Sequence, residues 1–125
     1  MRSLLTITAL VEGATGLALA FIPSLLVPIL LGTSLTDPAG ILFGRLAGAA
    51  LTTLAIACWL SRLHNASFLV VKTMVVYNIF SIALLVYAAL VEKISGPGLW
   101  PAVVVHVALL IWCLSSLHKH AEKNI

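Results

Sequence analysis

Four side chains combine acid, base and hydrogen-bonding chemistry with positions deep inside apolar sequence: Glu12, Arg45, Asn78 and His106. A carboxyl or an imidazole accepts or releases a proton, a guanidinium holds an anion or a carbonyl, and an amide bridges such groups. Glu12 and Arg45 border uncharged runs that cover 13–36 and 46–61, while Asn78 and His106 lie within the runs 73–91 and 94–118. An ionisable group at the centre of a bilayer costs ~2.5–3.5 kcal/mol even on insertion scales, so each is a functional candidate. At ~1.5 Å per residue the four sit roughly 12 to 21 Å from one membrane face, in one polar layer to which Tyr77, next to Asn78, is adjacent.

Arg45 is always charged and its long side chain can descend toward Glu12. The expected arrangement is therefore a Glu12–Arg45 ion pair whose remaining donors reach Asn78 or His106. Two readings of this layer stay open. It is either a network that stabilises a helical bundle, or the lining of a pocket open to one side, in which Arg45 binds an anionic or carbonyl group while Glu12 or His106 exchanges a proton. Glu12 is the only acid inside an apolar segment, which excludes two-carboxylate chemistry, and no Gly-rich phosphate loop or Ser-His-Asp set is present.

The layer must be positioned by membrane helices, because the composition permits little else. Of 125 residues 62% are hydrophobic and 9% charged, against about a quarter charged in a soluble domain, and mean hydropathy is +1.16. So few charges cannot cover a surface in water. A net charge of +3 without basic runs or interleaved aromatics gives nucleic acid nothing to bind.

Four transmembrane helices are expected near 4–22, 39–60, 68–91 and 99–117, each close to the ~20 residues that cross ~30 Å of hydrocarbon, forming one all-α domain over residues 1–125. Pro23 forces Ile22 off helical angles and Pro28 interrupts the next apolar stretch, so residues 23–31 are expected as a short segment at the membrane surface or dipping into it. Gly32 to Pro38 reads as a loop, Gly96-Pro97-Gly98 as a break, and Pro101 as a helix start. Arg2, the apolar stretch and Ala18-Leu19-Ala20 imitate a secretory signal, but Glu12 would fall inside its apolar region, so the first span is expected to be retained.

Lys and Arg favour one side five to two: Arg2, Arg62, Lys72, Lys119 and Lys123 against Arg45 and Lys93. The bias puts both termini in the cytoplasm. Trp59 and Trp112 toward that face, and Trp100 and Tyr87 toward the other, suit interfacial belts. The sequon Asn65-Ala66-Ser67 then falls in a cytoplasmic loop and carries no weight.

Gly40, Gly44 and Gly48 recur every four residues on the second span, and Glu12, Gly16 and Ala20 repeat that spacing on the first. Small-xxx-small spacing lets backbones approach closely, so spans one and two are expected in tight contact, within the monomer or as an oligomer seam. Haem does not suit the chain, since His64, His118 and His120 lie at the cytoplasmic end, far from His106. His-x-His at 118 and 120 reads as a solvated basic tail rather than a metal site. Cys58 and Cys113 read as apolar packing residues.

Leu10-Val11-Glu12-Gly13-Ala14-Thr15-Gly16-Leu17, Arg45-Leu46-Ala47-Gly48-Ala49-Ala50, Ala57-Cys58-Trp59-Leu60, Tyr77-Asn78, Leu99-Trp100-Pro101, His106 and Trp112-Cys113 together resemble small bacterial four-helix membrane proteins, broadly DoxX-like in size and layout. The resemblance spans nearly the whole chain and implies a four-helix fold in a bacterial inner membrane. DoxX-like relatives include quinone-linked redox subunits and proteins that assist assembly of other membrane proteins, so a quinone is the one cofactor the resemblance suggests. The chain also resembles small multidrug transporters, which have four helices and an essential Glu in the first, where Glu12 matches. It departs from them in offering that Glu an arginine partner and in a charge bias that opposes antiparallel dimers.

The expectation is thus a non-enzymatic, multi-pass inner-membrane protein. Its polar layer of Glu12, Arg45, Asn78, His106 and Tyr77 would stabilise the bundle and take up a small amphipathic ligand or lipid. An accessory role beside a larger membrane complex, a homo-oligomer, proton-coupled transport through Glu12 and a quinone-linked redox role are the alternatives.

Overall fold

Helix α1 (Arg2–Phe21) ends where Pro23 forces it to, with Ile22 at φ −132° and ψ 52° and its N–H still donating to Ala18 O. In this computed structural model, which describes residues 1–64 and 67–122, the chain re-enters helix at once as α2 (Pro23–Leu31). Pro28 lies inside α2 and does not interrupt it. A proline ring holds a φ that suits a helix, and its cost here is the single bond that its missing N–H would have made to Ser24 O. Gly32 closes α2 in the left-handed region at φ +68°, donating back to Pro28 O.

Helix α3 (Pro38–Ser61) starts on a cap: Asp37 Oδ2 accepts from the Gly40 N–H at 2.8 Å, and Pro38 fills the first turn where no N–H is needed. Helices α4 (Ser67–Leu90) and α5 (Leu99–Glu122) complete an all-helical chain. α1, α3, α4 and α5 are each long and apolar enough to cross a membrane. α5 runs five residues past the expected end at 117. That end marks the extent of apolar sequence, whereas Lys119, Ala121 and Glu122 are good helix formers and His118 meets Glu122 at 3.3 Å one turn on. Asn65, Ala66 and Lys123, invoked for the sequon and the charge bias, lie outside the described residues.

The long helices pack as two pairs, α1 on α3 and α4 on α5. At the α1–α3 crossing a Cβ on Gly48 would stand 2.3 Å from Ala20 N, and one on Gly16 would stand 2.7 Å from Thr52 N. Both are backbone atoms that cannot step aside, so this crossing needs glycine on each side. Gly44 faces Pro23 and Gly40 faces Leu35, so the upper part of the stripe receives α2 and the loop after it rather than α1.

Where the pairs meet, Leu4, Leu5, Ala9, Cys58, Val71, Met74, Leu109 and Cys113 form the core. All lie in the half of the bundle nearest the two termini. In the opposite half Leu19, Leu99 and Val103 are buried apart from this cluster, and α2 spans it. Its attachment is backbone to backbone: Gly96 N–H donates to Leu30 O and Gly98 N–H to Ile29 O, each at 2.9 Å. Gly96 sits so close that a Cβ would stand 2.2 Å from Ile29 O. Outward-facing positions such as Leu46, Leu60, Phe80, Val104 and Ile111 are exposed and apolar, the surface a helix presents to hydrocarbon.

Candidate functional site

At the level where the core ends, α1 contributes Glu12, α4 contributes Tyr77 and Asn78, and α5 contributes His106. Heptad-like spacing carries each inward: Glu12 follows Leu5 and Ala9 along one face of α1, and Asn78 follows Val71 and Met74 along one face of α4. Glu12 is 2% exposed and Asn78 fully buried.

Three hydrogen bonds organise these four side chains. The Tyr77 hydroxyl donates to Glu12 Oε2 at 2.9 Å, joining the two helix pairs. Asn78 Nδ2 donates to Met74 O at 2.7 Å, and its Oδ1 lies 3.0 Å from His106 Nδ1. The Tyr77 and His106 rings meet edge to face at 5.6 Å between centroids, so the two bonded pairs are held as one cluster. Glu12 Oε1, the other carboxyl oxygen, is buried without a hydrogen-bond partner, a costly state.

Arg45 is not in the cluster. It is exposed, and no Glu12–Arg45 ion pair forms among the described residues. The reasons are depth and azimuth. Gly13 meets Ala55 across the α1–α3 crossing, so Arg45, ten residues earlier on α3, stands about 15 Å along the helix axis from that level. Leu51 is the α3 residue that shares the cavity wall with Glu12, and six residues of helix place Arg45 about 120° around α3 from it. Glu12 takes Tyr77 as its partner instead, and Asn78 and His106 bond each other rather than the guanidinium.

Above the cluster the diverging helices border a half-open cavity of about 380 Å³, near the lower end of the ~300–1,000 Å³ found for small-molecule sites. Glu12, Tyr77 and His106 form its floor, with Thr15 and Ser81 beside them. Leucines 19, 84 and 85 are among its walls, and Leu26 and Leu30 of α2 roof it. Thr15 donates to Val11 O at 2.9 Å, which occupies its hydrogen. The sequence points to the floor and leaves the walls unmarked. Leucines in a membrane helix carry no sign of which face they occupy, and the roof depends on how α2 folds back.

Among the described residues no group of three or more His, Cys, Asp and Glu is gathered as a metal would require. Cys58 and Cys113 are free thiols packed in the core. At the end of the bundle that carries Arg2, Arg62 donates to Trp59 O and lies 3.4 Å over the Trp59 ring, and Lys72 lies 4.4 Å over that of Phe68. No protein-family model, curated protein or solved structure matches the chain.

Proposed function

We propose that this chain is a non-enzymatic, bacterial inner-membrane protein of DoxX-like kind that takes up a small amphipathic molecule in the cavity between its helices. The observation that carries the reading is the gathering of Glu12, Tyr77 and His106 at the floor of an otherwise apolar cavity. Leucine walls suit an aliphatic body, and the cluster of Glu12, Tyr77 and His106 suits a polar head. Arg2, Arg62, Lys72 and Lys119 on one side support an orientation with both termini in the cytoplasm, so that the cavity lies toward the outer leaflet.

Native mass spectrometry of protein extracted gently from its own membrane tests this, comparing wild type with Ala102→Phe, which fills the cavity, and Arg45→Ala, which leaves it alone. The expected result is a bound mass in wild type and Arg45→Ala that is lost from Ala102→Phe. Bare protein in all three, or a mass that survives the filling substitution, would refute the reading.

A second reading is favoured by one observation, that Glu12 has no arginine partner among the described residues. A carboxyl free of a fixed countercharge can exchange a proton for a cationic amphipath, which is what a small proton-coupled transporter needs. It predicts proton flux driven by a lipophilic cation in proteoliposomes, abolished by Glu12→Gln. Absence of such flux removes transport and leaves binding.

A further inference from the structure

The exposure of the cavity's own wall locates its mouth. Leu84 lines the cavity and is nevertheless 65% exposed, so it stands at an edge where the wall meets the surroundings of the bundle. Its direction follows from helix geometry. Seven residues of helix bring Leu84 to within about 20° of Tyr77 on α4, whereas Asn78, which meets His106 of α5, lies about 100° to the other side of Tyr77. Leu84 therefore occupies the flank of α4 turned away from α5.

α3 supplies the facing edge. Leu51 lines the cavity, and Cys58, two turns on along the same flank of α3, is buried in the core where the helix pairs meet. Of the other pair, α4 is the member that α3 packs on more. Cys58 shares one core cluster with Val71 and Met74 of α4, so the α3–α4 seam is shut in the half nearest the termini; beyond that half, Leu51 and Leu84 stand at its edges. Val105 of α5 is also exposed, at 41%, but α2 packs on α5 and α1, and less on α4, and so leaves the α3–α4 side the more open. Above the floor the wall and roof carry no polar side chain, and beneath it lies the core of Leu5, Met74 and Leu109.

We infer that the cavity draws its guest from the hydrocarbon of the bilayer, sideways through the α3–α4 seam between Leu51 and Leu84. The guest is thereby of the class that dissolves in membranes, an amphipath with an alkyl body, and a hydrophilic solute arriving from water meets only apolar wall on the way to the floor. An alkyl body passes this mouth without leaving apolar surroundings. Only the polar head exchanges one environment for another, from lipid to the floor of Glu12, Tyr77 and His106. This rests on the reading of the cavity as a ligand site and goes beyond it by naming the ligand's source and route.

The test is thiol labelling in lipid nanodiscs, which leave both membrane faces open to reagent. Ala102→Cys puts a thiol on the cavity wall. N-hexylmaleimide, which dissolves in the bilayer, is compared with a sulfonated maleimide that stays in water, and peptide mapping separates position 102 from the native cysteines. The expected result is labelling by N-hexylmaleimide alone, slowed about tenfold by Leu84→Trp, which blocks the mouth, and unchanged by Val105→Trp. Leu51→Trp narrows the mouth from α3 if Leu84→Trp does not fold. Ile79→Cys, exposed on the outer face of α4, gives the reagent's rate in open hydrocarbon and keeps it in every variant. Labelling by the sulfonate would place the mouth in water. Rates that neither Leu84→Trp nor Leu51→Trp slows would place it on another seam, and no labelling before denaturation would show a closed cavity; each overturns the inference. The native mass spectrum judges the ligand separately: a mass lost from Ala102→Phe beside any of these results keeps the site and removes the route, and bare protein removes the guest whatever the labelling shows.

Discussion

The Tyr77 hydroxyl and Glu12 Oε2 stand 2.9 Å apart across the boundary between the two helix pairs. Removing the hydroxyl leaves both oxygens of a buried carboxyl without partners, the costly half of hydrogen-bond energetics. Tyr77→Phe is expected to destabilise the protein by about 1–3 kcal/mol in reversible unfolding from mixed micelles. The double variant Glu12→Leu/Tyr77→Phe should cost clearly less than the sum of the single variants, because no orphaned carboxyl remains. Additive losses would show that the bond contributes nothing.

Arg45 and Glu12 are expected to act independently. Arg45→Ala removes an exposed side chain with no ion-pair partner among the described residues, so its effect on stability should stay within about 0.5 kcal/mol. Combined with Glu12→Ala, the losses should add to within about 0.5 kcal/mol. A coupling larger than that, measured by the same unfolding assay, would restore the ion pair that the sequence suggests.

Glycine substitutions separate close approach from helix propensity. Gly48→Ala would thrust a methyl to 2.3 Å from Ala20 N and should cost about 1–3 kcal/mol as α1 and α3 are pushed apart. Gly13→Ala meets only Ala55 Cβ at 3.5 Å, an ordinary contact, and should stabilise by up to about 1 kcal/mol through helix propensity. Equal midpoints for the two variants in thermal unfolding would contradict the crossing.

The two cysteines report on the core. Cys58 is 0% and Cys113 1% exposed, so maleimide must wait for the bundle to open. Labelling of either should be on the order of a hundredfold slower than labelling of Leu60→Cys, on the outward face of α3, and should become equal to it in denaturant. Rapid labelling of the folded wild type would show that the helix pairs do not close over this core.

The helices and their breaks are legible in the sequence because Pro23 and Gly96-Pro97-Gly98 act locally, through φ and missing N–H groups. The depth of Glu12, Asn78 and His106 is legible too, since rise per residue is constant. Arg45 is misplaced by the same reckoning because counting from each span's end does not give the register of α3 on α1, which sets Gly13 beside Ala55, ten residues from Arg45, and says nothing of which way a side chain points. On a helix exposed to lipid the surrounding residues are apolar on every side, so no amphipathic stripe marks the inner face. Tyr77 is adjacent to the layer in sequence, but its role as the partner of Glu12 depends on the angle at which α4 meets α1, and no residue spacing encodes that.

The bonds that fasten α2 to the turn between α4 and α5 involve main-chain atoms alone, Gly96 to Leu30 and Gly98 to Ile29. Their strength does not depend on which side chains stand at positions 26 and 30, although those two side chains form the cavity's roof. A lineage that keeps Gly96 can therefore exchange Leu26 and Leu30 for larger or smaller residues, altering the length and girth of the guest without loosening the fold. Natural variation in this part of the protein has room to change what is held while the structure that holds it is inherited intact.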